Sequence, residues 1–324
     1  MATLKEIQQY VTDLFVRQNF VKQPLTLYDP FQYTMTLGGK KLRPLLLMLS
    51  ADMFSADLKD AENAAIAIEL AHNFTLLHDD IMDESPLRRG KPTVYQKFGT
   101  DKAILSADVM YAKAYEYLLK CDNDKIPSLV KTLTTVLIQV CEGQAYDMDF
   151  EQRNDVTQKE YITMISLKTS VLIAAALKMG AIIAGASINN MNLLSEFGLY
   201  LGIAFQLQDD ILDCWSNLNE FGKVIGSDIV DNKKTILFLS AVEKANTTDV
   251  QELAGWYLDK TNDFQKKKQR VIELFEKYNV KSDVETMIGN YTIKALDTLD
   301  KIDVSDDKKE NLRTLAKQLI NRTK

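Results

Sequence analysis

The stretch Leu76-Leu-His-Asp-Asp-Ile-Met-Asp-Glu-Ser-Pro-Leu-Arg-Arg-Gly-Lys-Pro-Thr93 ends a long apolar run with three aspartates and follows them with two arginines. In a helix, residues three and four positions apart are neighbours, so Asp83 lies beside both Asp79 and Asp80. Like charges at this spacing destabilise an isolated helix by roughly 0.2–0.5 kcal/mol per pair, and a bound cation would offset that repulsion. Carboxylate oxygens are ligands that Mg²⁺ prefers, and Mg²⁺ commonly combines one or two carboxylates with the phosphates of a substrate.

A second acidic cluster repeats this spacing 209 − 79 = 130 residues later, in Phe205-Gln-Leu-Gln-Asp-Asp-Ile-Leu-Asp213. Gln206 precedes Asp210 by four residues and Asp213 by seven, so these side chains share one face of a helix, with Asp209 beside them. A single acidic cluster is most often a solvated helix end. The repeat of Asp-Asp-x-x-Asp favours a paired site for metal ions instead.

The composition predicts an all-helical protein. The 324 residues include only 13 glycines and 6 prolines, which disfavours an all-β protein with many turns. Residues 61–83 are apolar almost all round, as in a central helix covered by its neighbours. No linker or low-complexity segment divides the chain, so we expect a single domain over residues 1–324.

Charge and rare residue types argue against several classes of protein. The net charge of −6 offers no basic surface for nucleic acid. Two histidines are too few for a histidine-rich zinc or di-iron site. Three widely spaced cysteines form no disulfide framework and indicate the reducing cytoplasm. The apolar stretch from Thr169 to Ile188 contains Lys178 and many small residues, which is typical of buried helices rather than a membrane span.

Cationic residues recur near the first acidic cluster. Lys40 and Arg43, in Gly38-Gly-Lys-Lys-Leu-Arg-Pro44, stand at a predicted helix start, where free N–H groups favour anions. An ordinary junction between loop and helix explains that stretch equally well. Arg88 and Arg89 suit phosphate, because arginine can grip it through bidentate hydrogen bonds.

Further polar residues extend the candidate site. His72 lies two helical turns before Asp79 on the same face, which favours a ligand role over that of a core histidine. Lys168 and Thr169 begin an apolar run, where a charge is unusual unless the lysine reaches solvent along its stem. Three more lysines follow the second acidic cluster: Lys223, Lys233 and Lys234.

In combination, these motifs resemble those of the trans-isoprenyl diphosphate synthases. The resemblance runs in the family's order from about residue 38 to 235, through Gly-Gly-Lys-Lys-Leu-Arg-Pro, the first Asp-Asp-x-x-Asp with Arg-Arg-Gly, Lys168-Thr169, Phe205-Gln206 with the second Asp-Asp-x-x-Asp, and Gly222-Lys223 with Gly226-Ser-Asp. It implies the all-α isoprenoid synthase fold, an antiparallel helix bundle around a deep central cavity, usually as a homodimer. It also implies a reaction in which isopentenyl diphosphate extends an allylic diphosphate (dimethylallyl, geranyl or farnesyl) and pyrophosphate is released.

The same resemblance implies a role for each matched residue. Six aspartates would hold three Mg²⁺ ions on the allylic diphosphate: Asp79, Asp80, Asp83, Asp209, Asp210 and Asp213. That diphosphate would be bound by Arg88, Lys168, Lys223 and Lys233. The diphosphate of isopentenyl diphosphate would be bound by Lys40, Arg43, His72 and Arg89. Thr169 and Gln206 would stabilise the allylic cation.

The resemblance also bears on product length. In this family, bulky residues just before the first aspartate motif form the floor of the elongation cavity. Here Phe74 lies five residues before Asp79, a rise of about 7.5 Å along a helix, and Thr75 lies beside it. An aromatic floor and an uninserted motif resemble a short-chain enzyme that makes farnesyl or geranylgeranyl diphosphate. The alternative is that Phe74 is an ordinary core residue.

Two rival functions differ from this one in the motifs they need. A terpene cyclase of the same fold would not need the Lys40, Arg43 and His72 site, and usually has another metal motif in place of the second Asp-Asp-x-x-Asp. A non-catalytic helical partner subunit typically loses one aspartate motif, whereas this chain has both. Both contrasts favour the synthase.

Overall fold

The computed structural model describes residues 2–215, 226–258 and 263–320. Within these ranges the chain is helical, as predicted, apart from loops and one short antiparallel pair, β1 (Leu87–Arg88) and β2 (Lys91–Pro92). The helices are α1 (Leu4–Val16), α2 (Leu25–Thr36), α3 (Leu42–Met53), α4 (Leu58–Met82), α5 (Val94–Phe98), α6 (Thr100–Leu118), α7 (Ile126–Gln152), α8 (Gln158–Ile165), α9 (Val171–Ile183), α10 (Ile188–Trp215), α11 (Ser227–Val230), α12 (Ile236–Lys244), α13 (Thr247–Leu258), α14 (Phe264–Lys277), α15 (Val280–Asp300) and α16 (Asp306–Ile320). One π-helical turn, Ser166–Ser170, joins α8 to α9.

The chain forms two compact units, each assembled from segments that are distant in sequence. The first unit comprises Met1–Leu137, Leu172–Glu196 and Thr298–Leu315. The second comprises Ile138–Val171, Phe197–Asp297 and Ala316–Lys324. This division describes packing rather than independent folding, so a single domain over residues 1–324 stays a prediction.

The first unit is built around α4, the helix that the apolar run predicted. Its side chains are buried on several faces, Ala65, Ile68 and Leu70 among them, and it packs against α3 and α6. The Asp57 side chain caps its first turn by accepting from the Lys59 amide at 2.9 Å, which satisfies an N–H that has no partner inside the helix. The helix ends at Met82, with Asp83 as its C-cap, and the β1–β2 hairpin follows.

A glycine lets α3 and α9 lie close together in the same unit. A Cβ built on Gly180 would collide with the Leu47 carbonyl oxygen and would lie 2.8 Å from the Ser50 Cβ. The Ser50 hydroxyl donates to the Leu177 carbonyl at 2.7 Å across this contact. Only a residue without a side chain allows the two backbones to approach this closely.

The second unit has its own apolar core, to which α10 contributes Ile203, Leu207 and Ile211. The capping box predicted by Thr157-Gln-Lys-Glu160 opens α8, since the side chains of Thr157 and Glu160 each accept from the other's backbone N–H. The apolar contacts fix the position of α10, and the capping box fixes the start of α8. The geometry of the candidate site depends on both helices.

One described stretch, Gln158–Ile183, is long and apolar enough to cross a membrane, and 67% of its most apolar window is buried inside the protein. A buried core helix passes the same test of length and composition. The stretch also contains Lys168 and Thr169 in the π-helical turn.

Candidate active site

The first acidic cluster lies at the C-terminal end of α4, where the β1–β2 hairpin brings Arg88 onto it. The Arg88 guanidinium donates to both oxygens of Asp80, from Nε at 2.8 and 3.0 Å and from Nη2 at 2.7 Å. Its Nη2 also lies 3.6 Å from Asp79 Oδ2. Arg88 therefore offsets part of the negative charge at this end of α4.

The Asp80–Arg88 pair is nearly buried, and Asp80 is only 3% exposed. Burial raises the pKa of Asp80 above its ordinary value, while the hydrogen bonds from Arg88 oppose that rise. For Arg88 itself, burial lowers the pKa, but the hydrogen bonds to Asp80 and the charges of Asp79 and Asp83 outweigh burial and raise it. The pair is held together by charge-assisted hydrogen bonds, which are stronger than neutral ones.

The predicted diphosphate-binding residues of the first unit also meet. Arg43 Nη1 lies 2.9 Å from His72 Nε2, and burial together with Arg43 and Arg89 holds the pKa of His72 well below its ordinary value. The imidazole is therefore neutral at pH 7, and its Nε2 accepts the Arg43 hydrogen bond. Burial lowers the pKa of Arg43 to about 10, so the guanidinium keeps its charge at pH 7.

Arg89 joins this cationic cluster from the hairpin. Its guanidinium donates to the Gly38 carbonyl and fills the space where a side chain on Gly39 would lie. The Gly38–Gly39 turn, with both residues at positive φ, thus needs glycine for conformation as well as for space. Lys40 follows in the same loop with its side chain exposed.

Lys41, rather than Lys40, is the buried lysine of this loop, and the motif did not distinguish the two. Lys41 has a left-handed backbone, at φ 44°, which turns its side chain inward over the Phe15 ring. Its Nζ lies 3.1 Å from Glu69 Oε1, and the exposed fractions of the two side chains are 12% and 4%. Glu69 also accepts from Asn73 Nδ2 at 3.1 Å. An isolated acid within the apolar run of α4 was the signal that could have revealed this pair.

In the second unit, the predicted residues Lys168 and Thr169 lie in the π-helical turn between α8 and α9. The Lys168 ammonium group lies 2.6 Å from Asp147 Oδ2, a partner on α7 that is not among the predicted residues. The Thr169 hydroxyl donates to Gln206 Oε1 at 3.1 Å. The turn therefore places a cation and a hydroxyl side by side, each with a polar partner on a neighbouring helix.

Asp210 of the second aspartate motif is held by two protein donors. The Tyr161 hydroxyl donates to its Oδ2 at 2.5 Å, and Gln206 Nε2 donates to its Oδ1 at 3.1 Å. Burial, followed by the charge of Asp228, raises the pKa of Asp210 to about 8 in the metal-free protein, and both hydrogen bonds oppose that rise. Tyr161 is a buried residue that sequence reasoning missed.

Asp213 binds the start of α11 with both of its oxygens. Oδ1 accepts from the Ser227 hydroxyl at 2.8 Å, and Oδ2 accepts from the Asp228 amide at 3.1 Å. Asp209 is partly exposed. Of the lysines that follow, Lys223 lies outside the described residues, and Lys233 is partly buried, with its amide bonded to the Asp228 carbonyl.

Lys234, next to Lys233, has a structural role. Its ammonium group donates to the carbonyls of Phe150 and Glu151, at 3.0 and 3.2 Å, and to that of Arg153. The first two carbonyls belong to the last turn of α7 and the third to the residue just after it, where a cation is favourable because the helix leaves its last carbonyls without partners. This lysine fixes the loop that carries Lys233.

The donors of both aspartate motifs suit Mg²⁺ in kind, since all are carboxylate oxygens. Among the described residues, no three histidine, cysteine or acidic side chains stand close enough together to hold a metal ion by themselves. Mg²⁺ commonly takes only one or two carboxylates and completes its shell with water and substrate phosphate. Asp79 and Asp83 are one turn apart, as shown by the 2.9 Å bond from the Asp83 amide to the Asp79 carbonyl, and offer such a pair.

The predicted chain-length residues lie on α4 within the first unit. The ring of Phe74 is partly buried and packs against Tyr111 of α6, with ring centroids 5.3 Å apart, and against His78 at 4.9 Å. Thr75 donates its hydroxyl to the His72 carbonyl of its own helix at 2.8 Å. Phe74 is therefore one member of an aromatic cluster rather than an isolated ring.

Comparison with known proteins identifies the family. The sequence profile of the polyprenyl synthetase family matches residues 24–275. The chain belongs to the polyprenyl synthetase family. This polyprenyl synthetase is 45% identical over 232 residues to the geranylgeranyl diphosphate synthase of Methanosarcina mazei, covering 71% of this chain and 72% of the relative. It is 40% identical over 272 residues to the geranylfarnesyl diphosphate synthase of Natronomonas pharaonis, covering 78% and 79%.

Structural comparison agrees with the sequence comparison. The polyprenyl synthetase superposes on a crystal structure of a geranylgeranyl pyrophosphate synthase with a TM-score of 0.95, at 42% identity, over 99% of each chain. The predicted all-α isoprenoid synthase fold is confirmed, and the protein is a short-chain prenyltransferase. A terpene cyclase and a non-catalytic subunit are not favoured, because the matched relatives are named as synthases.

Proposed function

We propose that this polyprenyl synthetase joins isopentenyl diphosphate to an allylic diphosphate and releases pyrophosphate. The observation that carries the proposal is the cluster of two arginines, Arg43 and Arg89, with the neutral His72, which accompanies two complete aspartate motifs. One diphosphate would be bound through metal ions and a second through cationic side chains. An enzyme with a single diphosphate substrate would have no use for the second set.

The first step is loss of pyrophosphate from the allylic substrate, and it needs negative charge to be neutralised as the carbon–oxygen bond breaks. Bound Mg²⁺, three ions as the family resemblance implies, would supply most of that neutralisation. The six aspartates of the two motifs would hold it: Asp79, Asp80, Asp83, Asp209, Asp210 and Asp213. Arg88, Lys168, Lys223 and Lys233 would bind the same diphosphate directly.

The second diphosphate would bind at Lys40, Arg43, His72 and Arg89. Arg43 is charged and partly buried, so its attraction for an anion is less weakened by water than that of a surface arginine. The neutral His72 accepts from Arg43 and so fixes the direction in which the guanidinium points. Lys41 and Glu69 neutralise each other and support the loop from behind.

The allylic cation must meet the double bond of isopentenyl diphosphate before it meets water. Thr169 and Gln206 would stabilise that cation with oxygen lone pairs from the π-helical turn and α10. The departing pyrophosphate is the base we propose for the final proton. Phe74, with Thr75 and Tyr111 next to it, would limit the product to farnesyl or geranylgeranyl diphosphate.

We further propose a cytoplasmic homodimer that binds no nucleic acid and spans no membrane. The net charge of −6 supports the absence of nucleic acid. The dimer is supported by Ile104, Leu105 and Tyr111, which leave an apolar strip on α6 that is 39%, 57% and 39% exposed. Light scattering should give the mass of two chains, and Leu105→Lys should lower it to that of one. A single-chain mass for the unaltered protein would contradict the dimer.

The proposed reaction is tested with purified protein, Mg²⁺, isopentenyl diphosphate and each of dimethylallyl, geranyl and farnesyl diphosphate. Pyrophosphate release should require both diphosphates, and mass spectrometry should show fifteen- or twenty-carbon products. Arg43→Gln should raise the KM for isopentenyl diphosphate more than tenfold and leave the KM for the allylic substrate nearly unchanged. Release of pyrophosphate from an allylic substrate alone would indicate a cyclase and would contradict the proposal.

A further inference from the structure

A continuous chain of hydrogen bonds runs through the second unit from a residue that has no role in the proposed reaction. It starts at the Tyr161 hydroxyl, passes through Asp210 and Gln206, and ends at the Thr169 hydroxyl. The three bonds measure 2.5, 3.1 and 3.1 Å and link α8, α10 and the π-helical turn. Tyr161 is 4% exposed and Asp210 is 2% exposed, so the start of the chain is shielded from water.

The order of donors and acceptors along this chain is determined by Asp210. Both of its oxygens accept, Oδ2 from the Tyr161 hydroxyl and Oδ1 from Gln206 Nε2, so the NH₂ group is the end of the Gln206 amide that faces Asp210. The amide oxygen of Gln206 then faces Thr169 and must receive a proton from its hydroxyl. Because that hydroxyl proton is already used, only oxygen lone pairs remain at Thr169 for a substrate.

We infer that Tyr161 is a positioning residue for the allylic cation, acting through Asp210 and Gln206 to fix the acceptor orientation of the Thr169 oxygen. The inference rests on the proposed function, in which Thr169 and Gln206 stabilise the cation. Without the Tyr161 hydroxyl, Asp210 loses its shortest hydrogen bond and is free to turn. Gln206 is then no longer held with its oxygen towards Thr169, and the hydroxyl can point its proton at the cation.

The matched control is Tyr278, which makes the same kind of bond in the same unit. Its hydroxyl donates to Asp249 Oδ2 at 2.5 Å, the length of the Tyr161–Asp210 bond. Asp249 is bonded to Lys277 and Asn246, and its hydrogen bonds do not lead to Gln206 or Thr169. Tyr161→Phe and Tyr278→Phe each delete one bond from a tyrosine hydroxyl to a carboxylate, and only the first is linked to the candidate active site. Tyr278→Phe also removes the two bonds that its hydroxyl accepts from Asn246, so it sets an upper limit for a purely structural loss of stability.

The experiment is a double-mutant cycle on kcat with Tyr161→Phe and Thr169→Val, measured at saturating concentrations of both substrates and Mg²⁺. Tyr161→Phe should lower kcat about tenfold, the usual effect of one misplaced hydrogen bond to a charged group, with both KM values within about twofold. The double variant should be no more than about threefold slower than the slower single variant. Thr169→Ser, which keeps the hydroxyl, should restore the full effect of Tyr161→Phe.

Three outcomes would overturn the inference. One is a double variant whose loss is the product of the two single losses, which means that Tyr161 and Thr169 act independently. Another is that Tyr161→Phe leaves kcat unchanged and lowers the melting temperature as much as Tyr278→Phe does. The Tyr161–Asp210 bond would then be purely structural. If Tyr161→Phe does not fold, Asp210→Asn takes its place in the cycle. The third contradicting outcome is that Asp210→Asn and Thr169→Val then show no coupling. Failure of the proposed function is distinct, because the unaltered protein would then release no pyrophosphate.

Discussion

At the residue scale, the neutral state of His72 makes the stability of the protein depend on pH. In the unfolded chain this imidazole takes up a proton near pH 6.5, whereas burial and the nearby arginines hold its folded pKa well below that value. Below about pH 6.5 the unfolded state therefore binds more protons than the folded state. The stability contributed by the neutral histidine is present above the unfolded pKa and is lost as pH falls.

His72→Gln tests this effect, because glutamine is neutral at every pH and offers an oxygen to Arg43. Between pH 7.5 and 5.5, the free energy of unfolding should fall by about 1 kcal/mol more in the unaltered protein than in His72→Gln. Urea unfolding at the two pH values measures the difference. His78→Gln is the control and should change the pH dependence less, since His78 is only half-buried. Equal losses in the unaltered protein and His72→Gln would show that His72 is not held neutral.

Phe74 is the residue that should control product length. Phe74→Ala removes one ring from the cluster with Tyr111 and His78, so the space beneath the growing chain deepens and the main product should lengthen by one or two five-carbon units. Chromatography of radiolabelled products provides the measurement. Phe31→Leu is the control, because Phe31 is fully buried and packs on Phe20 and Tyr28. An unchanged product spectrum in Phe74→Ala would show that the ring is an ordinary core residue.

The site residues divide into those that spacing could predict and those that depend on tertiary contacts. Helical spacing singled out His72 and the family motif singled out Arg43, and the structure places the two in contact, while their binding of a diphosphate stays a prediction. Spacing could not show that the Lys41 side chain is largely buried and the Lys40 side chain exposed. That difference depends on the left-handed backbone of Lys41 itself. Nor could spacing reveal Tyr161, whose partner Asp210 lies 49 residues away.

At the element scale, the π-helical turn that carries Lys168 and Thr169 is packed between two glycines. On one side, a Cβ on Gly202 of α10 would lie 2.6 Å from the Ser170 Cα, well inside van der Waals contact. On the other, a Cβ on Gly143 of α7 would collide with the Lys168 amide nitrogen. Wide turns of this kind are rare in helices and occur frequently at functional sites. The π-helical turn was not predictable from a local pattern, because its position depends on these backbone contacts.

Gly202→Ala should therefore displace Ser170 and with it Lys168 and Thr169. We expect a loss of about 2–3 kcal/mol in the free energy of unfolding from overpacking, and a fall in kcat of more than tenfold. Gly289→Ala, in α15, is the control because a Cβ there meets no atom within 4 Å. That variant should gain about 0.5–1 kcal/mol, since alanine favours a helix interior more than glycine does. Full activity in Gly202→Ala would show that the turn tolerates displacement.

At the scale of the whole molecule, the two aspartate motifs belong to different compact units. Asp79, Asp80 and Asp83 lie in the first unit, with the cationic cluster around Arg43. The motif that begins at Asp209 lies in the second, with the π-helical turn. The repeat in the sequence predicted that both motifs bind metal ions, and that chemistry stays a prediction. It did not predict the division into units, because no change of composition marks the boundaries, and these fall inside helices.

If both motifs serve the same ionisation step, removing either one should remove most of the rate. Asp79→Asn and Asp209→Asn should each lower kcat by a factor of about 100 or more, since each takes away stabilisation of the departing pyrophosphate. The double variant should be only slightly slower than either single variant, because groups that act as a unit in catalysis are strongly non-additive. Single-turnover measurements of pyrophosphate release at saturating Mg²⁺ isolate the step concerned.

The control for this pair uses one exposed aspartate from each unit, Asp124 and Asp155. Asp124→Asn and Asp155→Asn each remove one negative charge from the same two units and should leave kcat within about twofold, singly and together, because an exposed charge is screened by salt. This comparison separates loss of a ligand from a general change in net charge. The contradicting outcome is that the factors by which Asp79→Asn and Asp209→Asn lower kcat multiply in the double variant, while the control pair leaves kcat unchanged. The two motifs would then act in separate steps. Each unit would then contribute to the reaction on its own, and the two acidic clusters would not share a single leaving group.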